Sequence, residues 1–164
     1  MKILFIHSSD NDHQFYNDYM SDLLLHGLRE LHGNDIIDYP GCWYLYKDEI
    51  QKREYEEKRF WGKGFTIKKI LHGYESIDRE NIQQKIRSRY FDLVIYGSIR
   101  RSDLFLDDVI KFNNKFIFID GEDEFSVLTI KIPCGKNDFG REVNRNYFCR
   151  GDNIDNKQVG LINN

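Results

Sequence analysis

The chain has 164 residues, 40% hydrophobic and 15% aromatic, which fills one core and leaves too little length for two ordinary domains. Its 24 basic and 27 acidic side chains are interspersed and sum to a formal charge of -3, so the single-sign field that selects nucleic acid is missing. No apolar run reaches the roughly 18 residues of a membrane span, and Met1-Lys-Ile-Leu-Phe-Ile-His7 turns polar too early for a secretory leader; a cytoplasmic chain, complete at its N-terminus, is expected.

Lys2 to His7 is almost continuously apolar and predicts a buried central strand. Ser8 to Asn17 reads as polar loop. From there Tyr16, Tyr19, Met20, Leu23, Leu24, Leu28 and Leu31 recur at three- and four-residue steps and predict a helix, with Asn17 or Asp18 as its cap and Gly33 as its stop. Asp35 to Tyr39 is a short second strand ended by Pro40. Residues 42–72 then break the alternation with an aromatic cluster (Trp43, Tyr44, Tyr46), a charged run from Lys47 to Arg59, and Trp61-Gly-Lys-Gly-Phe65. The charged run reads as a solvated helix with opposite-charge pairs, and the whole segment as an insertion over one rim of the sheet, its aromatics exposed.

Asp78 is expected to cap a helix running through Arg89 with Ile82 and Ile86 inward. The strand Phe91-Asp-Leu-Val-Ile-Tyr-Gly-Ser98 follows, then a helix capped by Ser102 and bearing Phe105, Leu106, Val109, Ile110 and Phe112, then the strand Lys115 to Ile119. Val127 to Ile132 supplies an edge strand before Pro133, and Gly135 to Asn164, rich in Asn, Asp and Gly, reads as an irregular tail. The fold expected is a single α/β domain over residues 1–134, a Rossmann-like three-layer structure with a mostly parallel sheet of four to five strands. The strands near residues 2–7, 91–97 and 115–119 are expected side by side at its centre.

Ligands of such sheets bind outside the carboxyl ends of the strands. That places His7, Ser8, Gly97 and Ser98 at the expected rim, with Arg100 and Arg101 in reach of an anionic ligand and exposed arginine as the plainer reading. Asp120-Gly-Glu-Asp-Glu124 is the densest carboxylate cluster: Asp120, Glu122 and Asp123 can accept sugar or ribose hydroxyls or act as a base, or simply keep the rim wet. No metal site is expected, since His13 is the only further ligand at hand. Lys63, set between two glycines and two aromatics, suits a phosphate or a stacked ring as well as it suits a flexible loop. His26 lies among leucines on the first helix, where a histidine is usually a packing residue.

The loop after the first strand contains no glycine, so neither the dinucleotide fingerprint nor the Walker loop is present and no cofactor is expected. Cys42, Cys134 and Cys149 are widely spaced without a C-x-x-C pair and read as reduced thiols. Cys134 and Arg141 are one residue too far apart for the C-x5-R phosphate loop, and Gly140 stands where its arginine belongs.

Taken together, Asp18-Tyr-Met-Ser-Asp-Leu-Leu-Leu-His-Gly-Leu28, Asp38-Tyr-Pro40, Gly62-Lys-Gly-Phe-Thr66, Phe91 to Ser98 and Ile119-Asp-Gly-Glu-Asp123 resemble the N-terminal Rossmann-like region of bacterial and viral glycosyltransferase-like proteins of surface polysaccharide synthesis. The resemblance covers roughly residues 1–125 and implies one half of the two-domain GT-B architecture, in which acceptor and nucleotide-sugar donor meet between two Rossmann-like halves. The chain is long enough for one half only. The expected function is therefore a glycosyltransferase-like domain that binds a sugar or nucleotide-sugar, with a homo-oligomer or a partner domain completing the cleft. If catalytic, Asp120, Glu122, Asp123 or His26 deprotonates an acceptor hydroxyl while Lys63 or Arg100 offsets phosphate charge. The alternatives are a non-catalytic binding or protein-interaction module, with the segment from Cys42 to Phe65 as its surface, and a flavodoxin-like enzyme acting on an N-glycosidic bond.

Overall fold

The computed structural model describes residues 1–7, 18–53, 67–113, 115–120 and 144–149, with side chains at all of these but 120 and 144–149. Four consecutive apolar residues, Ile3–Ile6, form β1, and all four are buried. A strand that is apolar on both faces must be covered on both, and crossover connections do this. α1 (Tyr19–His32) leads to β2 (Ile36–Tyr39), and α2 (Lys47–Ile50) and α3 (Ile82–Arg87) precede β3 (Leu93–Tyr96). α4 (Leu106–Phe112) then leads to β4 (Lys115–Asp120), and β5 is Asn144–Cys149. The five strands pair in the order β2-β1-β3-β4-β5, every pair parallel. The expected central trio is therefore in place, with Leu4 opposite Ile37 on one side and Val94 on the other. Right-handed crossovers running in opposite directions put α1 on one face of the sheet and α3 and α4 on the other. The chain is a single Rossmann-like α/β domain, and no helix among the described residues is long and apolar enough to cross a membrane.

Asp18 caps α1 as anticipated: its Oδ1 accepts the backbone N–H of Met20 at 3.0 Å and of Ser21 at 3.4 Å. Asp18→Ala should lower stability by about 1 kcal/mol, read as a shift in urea midpoint at constant m. The face that α1 buries differs from the apolar spacing. Ser21, Asp22, Leu25 and Arg29 point inward, while Tyr19, Leu23 and Leu31 are exposed. Polar residues reach the interior here because each inward charge finds a partner: the Arg29 guanidinium donates to the carbonyls of Gly33 and Ile36, satisfying the helix end and the start of β2.

The helices before and after β3 start later than the capping residues suggest. α3 begins after Asn81 (φ 52) and α4 after Phe105 (φ 60), two left-handed residues that redirect the chain just before each first turn. Asp78 instead accepts the N–H of Glu80 at 3.1 Å and pairs with Lys85 at 2.7 Å, and Ser102 is a buried residue of the loop. β5 is the other departure, a parallel edge strand inside the stretch read as irregular tail. Its sequence, Asn-Arg-Asn-Tyr-Phe-Cys, has no alternation, and its place is set by backbone pairing from Lys115↔Asn144 to Asp120↔Cys149. The strand expected at Val127–Ile132 lies outside the described residues.

The aromatic cluster after β2 belongs to the core rather than to the surface. Trp43 is 4% exposed and Tyr44 and Tyr46 are fully buried. Buried tyrosines need partners for their hydroxyls, and two carboxylates supply them: Tyr44 donates to Asp22 and Tyr46 to Asp38. Of the charged run, Lys47–Arg53 is described. Its Glu49 is buried and bridged by Lys52 at 3.1 Å and Arg53 at 2.9 Å, the helical spacing anticipated.

Candidate functional site

The strand order 2-1-3-4-5 reverses direction at β1, because the chain leaves β1 toward β2 and returns across it to β3. In sheets of this kind the ligand place is outside the carboxyl ends of the two strands that flank the reversal, here β1 and β3. Ladder bonds carry both strands into the rim: the His7 N–H donates to the Tyr39 carbonyl at 2.8 Å, and the Gly97 N–H to the Ile6 carbonyl at 2.9 Å. The rim is therefore floored by His7 and by Gly97-Ser98, all of them buried.

Beneath it the first turn of α1 and the segment after β2 converge. His7 Nε2 lies 2.8 Å from Asp22 Oδ1, and the Tyr44 hydroxyl donates to the same oxygen at 2.7 Å while standing 3.4 Å from the His7 ring nitrogen. All three side chains are excluded from solvent. Burial raises the Asp22 carboxyl above the usual carboxylate range, against the opposing hydrogen bonds from His7 and Tyr44. Burial, with the nearby Cys42 and Asp22, pushes the Tyr44 hydroxyl well up, so it keeps the proton that it donates. Two buried oxygens in the first turn of α1, Asp22 Oδ2 and Ser21 Oγ, have no hydrogen-bond partner among the described residues.

Chemically, this is an imidazole held by a carboxylate. In the tautomer whose Nε2 donates to Asp22, the lone pair lies on Nδ1. Gly97 lets the elements close up. A Cβ there would run into Ser21 Oγ and sit 2.7 Å from Phe5 Cζ, so β3 and α1 approach at a distance that no side chain allows. The Cys42 thiol, raised by burial and by Asp38, is a packing group and not a nucleophile.

A second buried network holds the turn after β2. Asp38 Oδ1 accepts from Arg79 Nη2 at 2.8 Å and from Tyr46 at 3.0 Å, and Oδ2 accepts the Cys42 N–H at 3.0 Å. The Arg79 guanidinium also donates to the carbonyls of Asp38 and Tyr74 and stacks 4.0 Å above the Tyr74 ring. Gly41 (φ 105) passes so close that a Cβ would lie 2.8 Å from the Tyr74 hydroxyl and 2.9 Å from Arg79 Nε.

Of the residues singled out from sequence, the structure gathers His7, Gly97 and Ser98 at the rim, with Arg100 half-buried in the turn after Ser98. Asp120 closes β4, one strand over from β3. Ser8, Lys63, Glu122 and Asp123 lie outside the described residues. His26 is not brought to the rim: α1 runs away from it, and His26, 3.8 Å from Glu30, sits about 6 Å further along the helix than Asp22. Asp22, Tyr44, Ser21, Asp38 and Arg79 were not singled out. The available signal for Asp22 was its place four residues after a cap and immediately before three leucines, where a carboxylate on the inward face needs a partner. Among the described residues no three His, Cys, Asp or Glu side chains gather as metal ligands. No family model, curated protein or solved structure matches the chain.

Proposed function

We propose that this chain binds a sugar or nucleotide-sugar at the rim between β1 and β3 and serves as one half of a glycosyltransferase built from two Rossmann-like halves. The observation that carries this reading is the His7–Asp22–Tyr44 network at the point where the strand order reverses. A buried, carboxylate-oriented imidazole at the carboxyl end of β1 is suited to removing the proton of an acceptor hydroxyl, the step that sugar transfer requires. Arg100, in the turn after β3, supplies charge toward a leaving phosphate. In this reading His7 takes the base role considered above for His26. The interaction-module alternative loses Trp43, Tyr44 and Tyr46 as a surface, since all three are core residues.

Thermal unfolding of the full chain with UDP-, GDP- and dTDP-sugars tests the reading. At a ligand concentration of about 100 Kd, binding to the native state adds about 2.7 kcal/mol and raises Tm by several degrees. His7→Gln and Arg100→Ala should each reduce that rise. A folded chain whose Tm is unmoved by all three nucleotide-sugars would refute the proposal.

A further inference from the structure

We propose that the groove bounded by α3, the end of β2 and Phe105 is a binding site for a neutral saccharide, separate from the rim. The groove is open to solvent and has a volume of about 560 Å³, inside the range of about 300–1,000 Å³ typical of small-molecule sites. Its apolar walls are the rings of Tyr39, at the end of β2, and Phe105, whose centroids lie 5.5 Å apart at 47°. Its polar lining is dominated by carboxamides: Asn81, Gln83 and Gln84. Aromatic faces that take the C–H side of a sugar ring, beside amides that both donate and accept to its hydroxyls, are the chemistry a pyranose needs.

Charge decides between this ligand and an anion. Two guanidiniums line the groove, and each is already neutralised. Arg79 pairs with Asp38 at 2.8 Å, and Arg87 pairs with Asp108 at 3.0 Å, where Gln83 also donates at 2.7 Å. A phosphate entering here would compete for guanidiniums whose charge is already offset, by the buried Asp38 carboxylate behind Arg79 and by Asp108 beside Arg87, and would gain little. The carboxamides of Asn81 and Gln84 make no hydrogen bond to any described residue, and Asn81 does not cap α3. Two of the lining residues, Asn81 (φ 52) and Phe105 (φ 60), hold the left-handed backbone that L side chains rarely adopt, and for a bulky phenylalanine that conformation is a true outlier. Strain of this kind concentrates where side chains are held for a ligand, and here both strained residues aim at one groove. The inference goes beyond the nucleotide-sugar reading and stands without it.

Calorimetric titration of the full chain with maltohexaose, cellohexaose and chitohexaose, and with UDP as the anionic comparison, tests the groove. At least one neutral hexasaccharide should saturate with a Kd below about 1 mM. Gln84→Ala, at an exposed position where folding is not at stake, should weaken that binding about tenfold, as should Phe105→Ala. Failure of all three saccharides to bind, or binding that Gln84→Ala leaves unchanged, overturns the proposal. Displacement of the bound saccharide by UDP also overturns it, because it would make groove and rim one site. Loss of nucleotide-sugar binding with saccharide binding intact would refute the rim reading alone.

Discussion

Asp38→Ala should lower the unfolding free energy by about 3–5 kcal/mol, the range for breaking one side of a buried ion pair. Asp38 is fully buried and Arg79 is 14% exposed, so solvent screens little of what is lost. The carboxylate closes three contacts at once, to the Arg79 guanidinium, the Tyr46 hydroxyl and the Cys42 N–H, and its removal strands a charge and two donors in the interior. A domain of this size has only about 5–15 kcal/mol in hand, so the variant should sit near the folding threshold. Asp38→Asn keeps an acceptor for Tyr46 or Cys42 and should cost less than the alanine variant. Urea unfolding followed by circular dichroism reads both, and a loss below 1 kcal/mol for Asp38→Ala would mean that Arg79 finds water on the 14% that faces out.

Gly97→Ala is the second large effect expected. The new methyl would run into Ser21 Oγ and lie 2.7 Å from Phe5 Cζ and 2.9 Å from Phe5 Cε1; the serine can change rotamer, but the fully buried Phe5 ring has no room to move away. Overpacking of this kind costs about 1–3 kcal/mol. The cost should fall when Phe5→Leu is combined with it, because the two changes share one volume and are not additive. The same methyl pushes α1 from β3 and shifts Asp22 relative to His7, so under the proposed rim reading nucleotide-sugar binding should weaken more than the loss of stability explains. Calorimetry on the folded fraction separates the two, and an alanine variant as stable as the parent would show that β3 and α1 can part freely.

The parallel sheet could be read from the chain because it rests on short-range information. Runs such as Ile3-Leu-Phe-Ile6 and Leu93-Val-Ile-Tyr96 are apolar on both faces, and a doubly covered strand has few other forms. The rim positions of His7, Gly97 and Ser98 follow from strand ends and were legible for the same reason. What surrounds them was not. Tyr44 reaches Asp22 across 22 positions, and Arg79 reaches Asp38 across 41, pairings that no local period encodes. The spacing on α1 misled because Leu23 and Leu31 fit the apolar template better than Ser21, Asp22 and Arg29, the residues that in fact face the core. β5 was missed because an edge strand joins through its backbone.

The position of β1 in the sheet also has a consequence for how the chain is made. β1 leaves the ribosome before both of its neighbours, and they arrive at very different times: β2 is complete by residue 39, whereas β3 begins at residue 93. At about 5–20 residues per second, the flank of β1 that will meet β3 stays unpaired for several seconds. During that interval Ile3–Ile6 exposes an apolar edge that an isolated two-stranded unit cannot shield. Nascent chains stalled before residue 93 should therefore be the species that chaperones hold, and release should follow the emergence of Leu93–Tyr96.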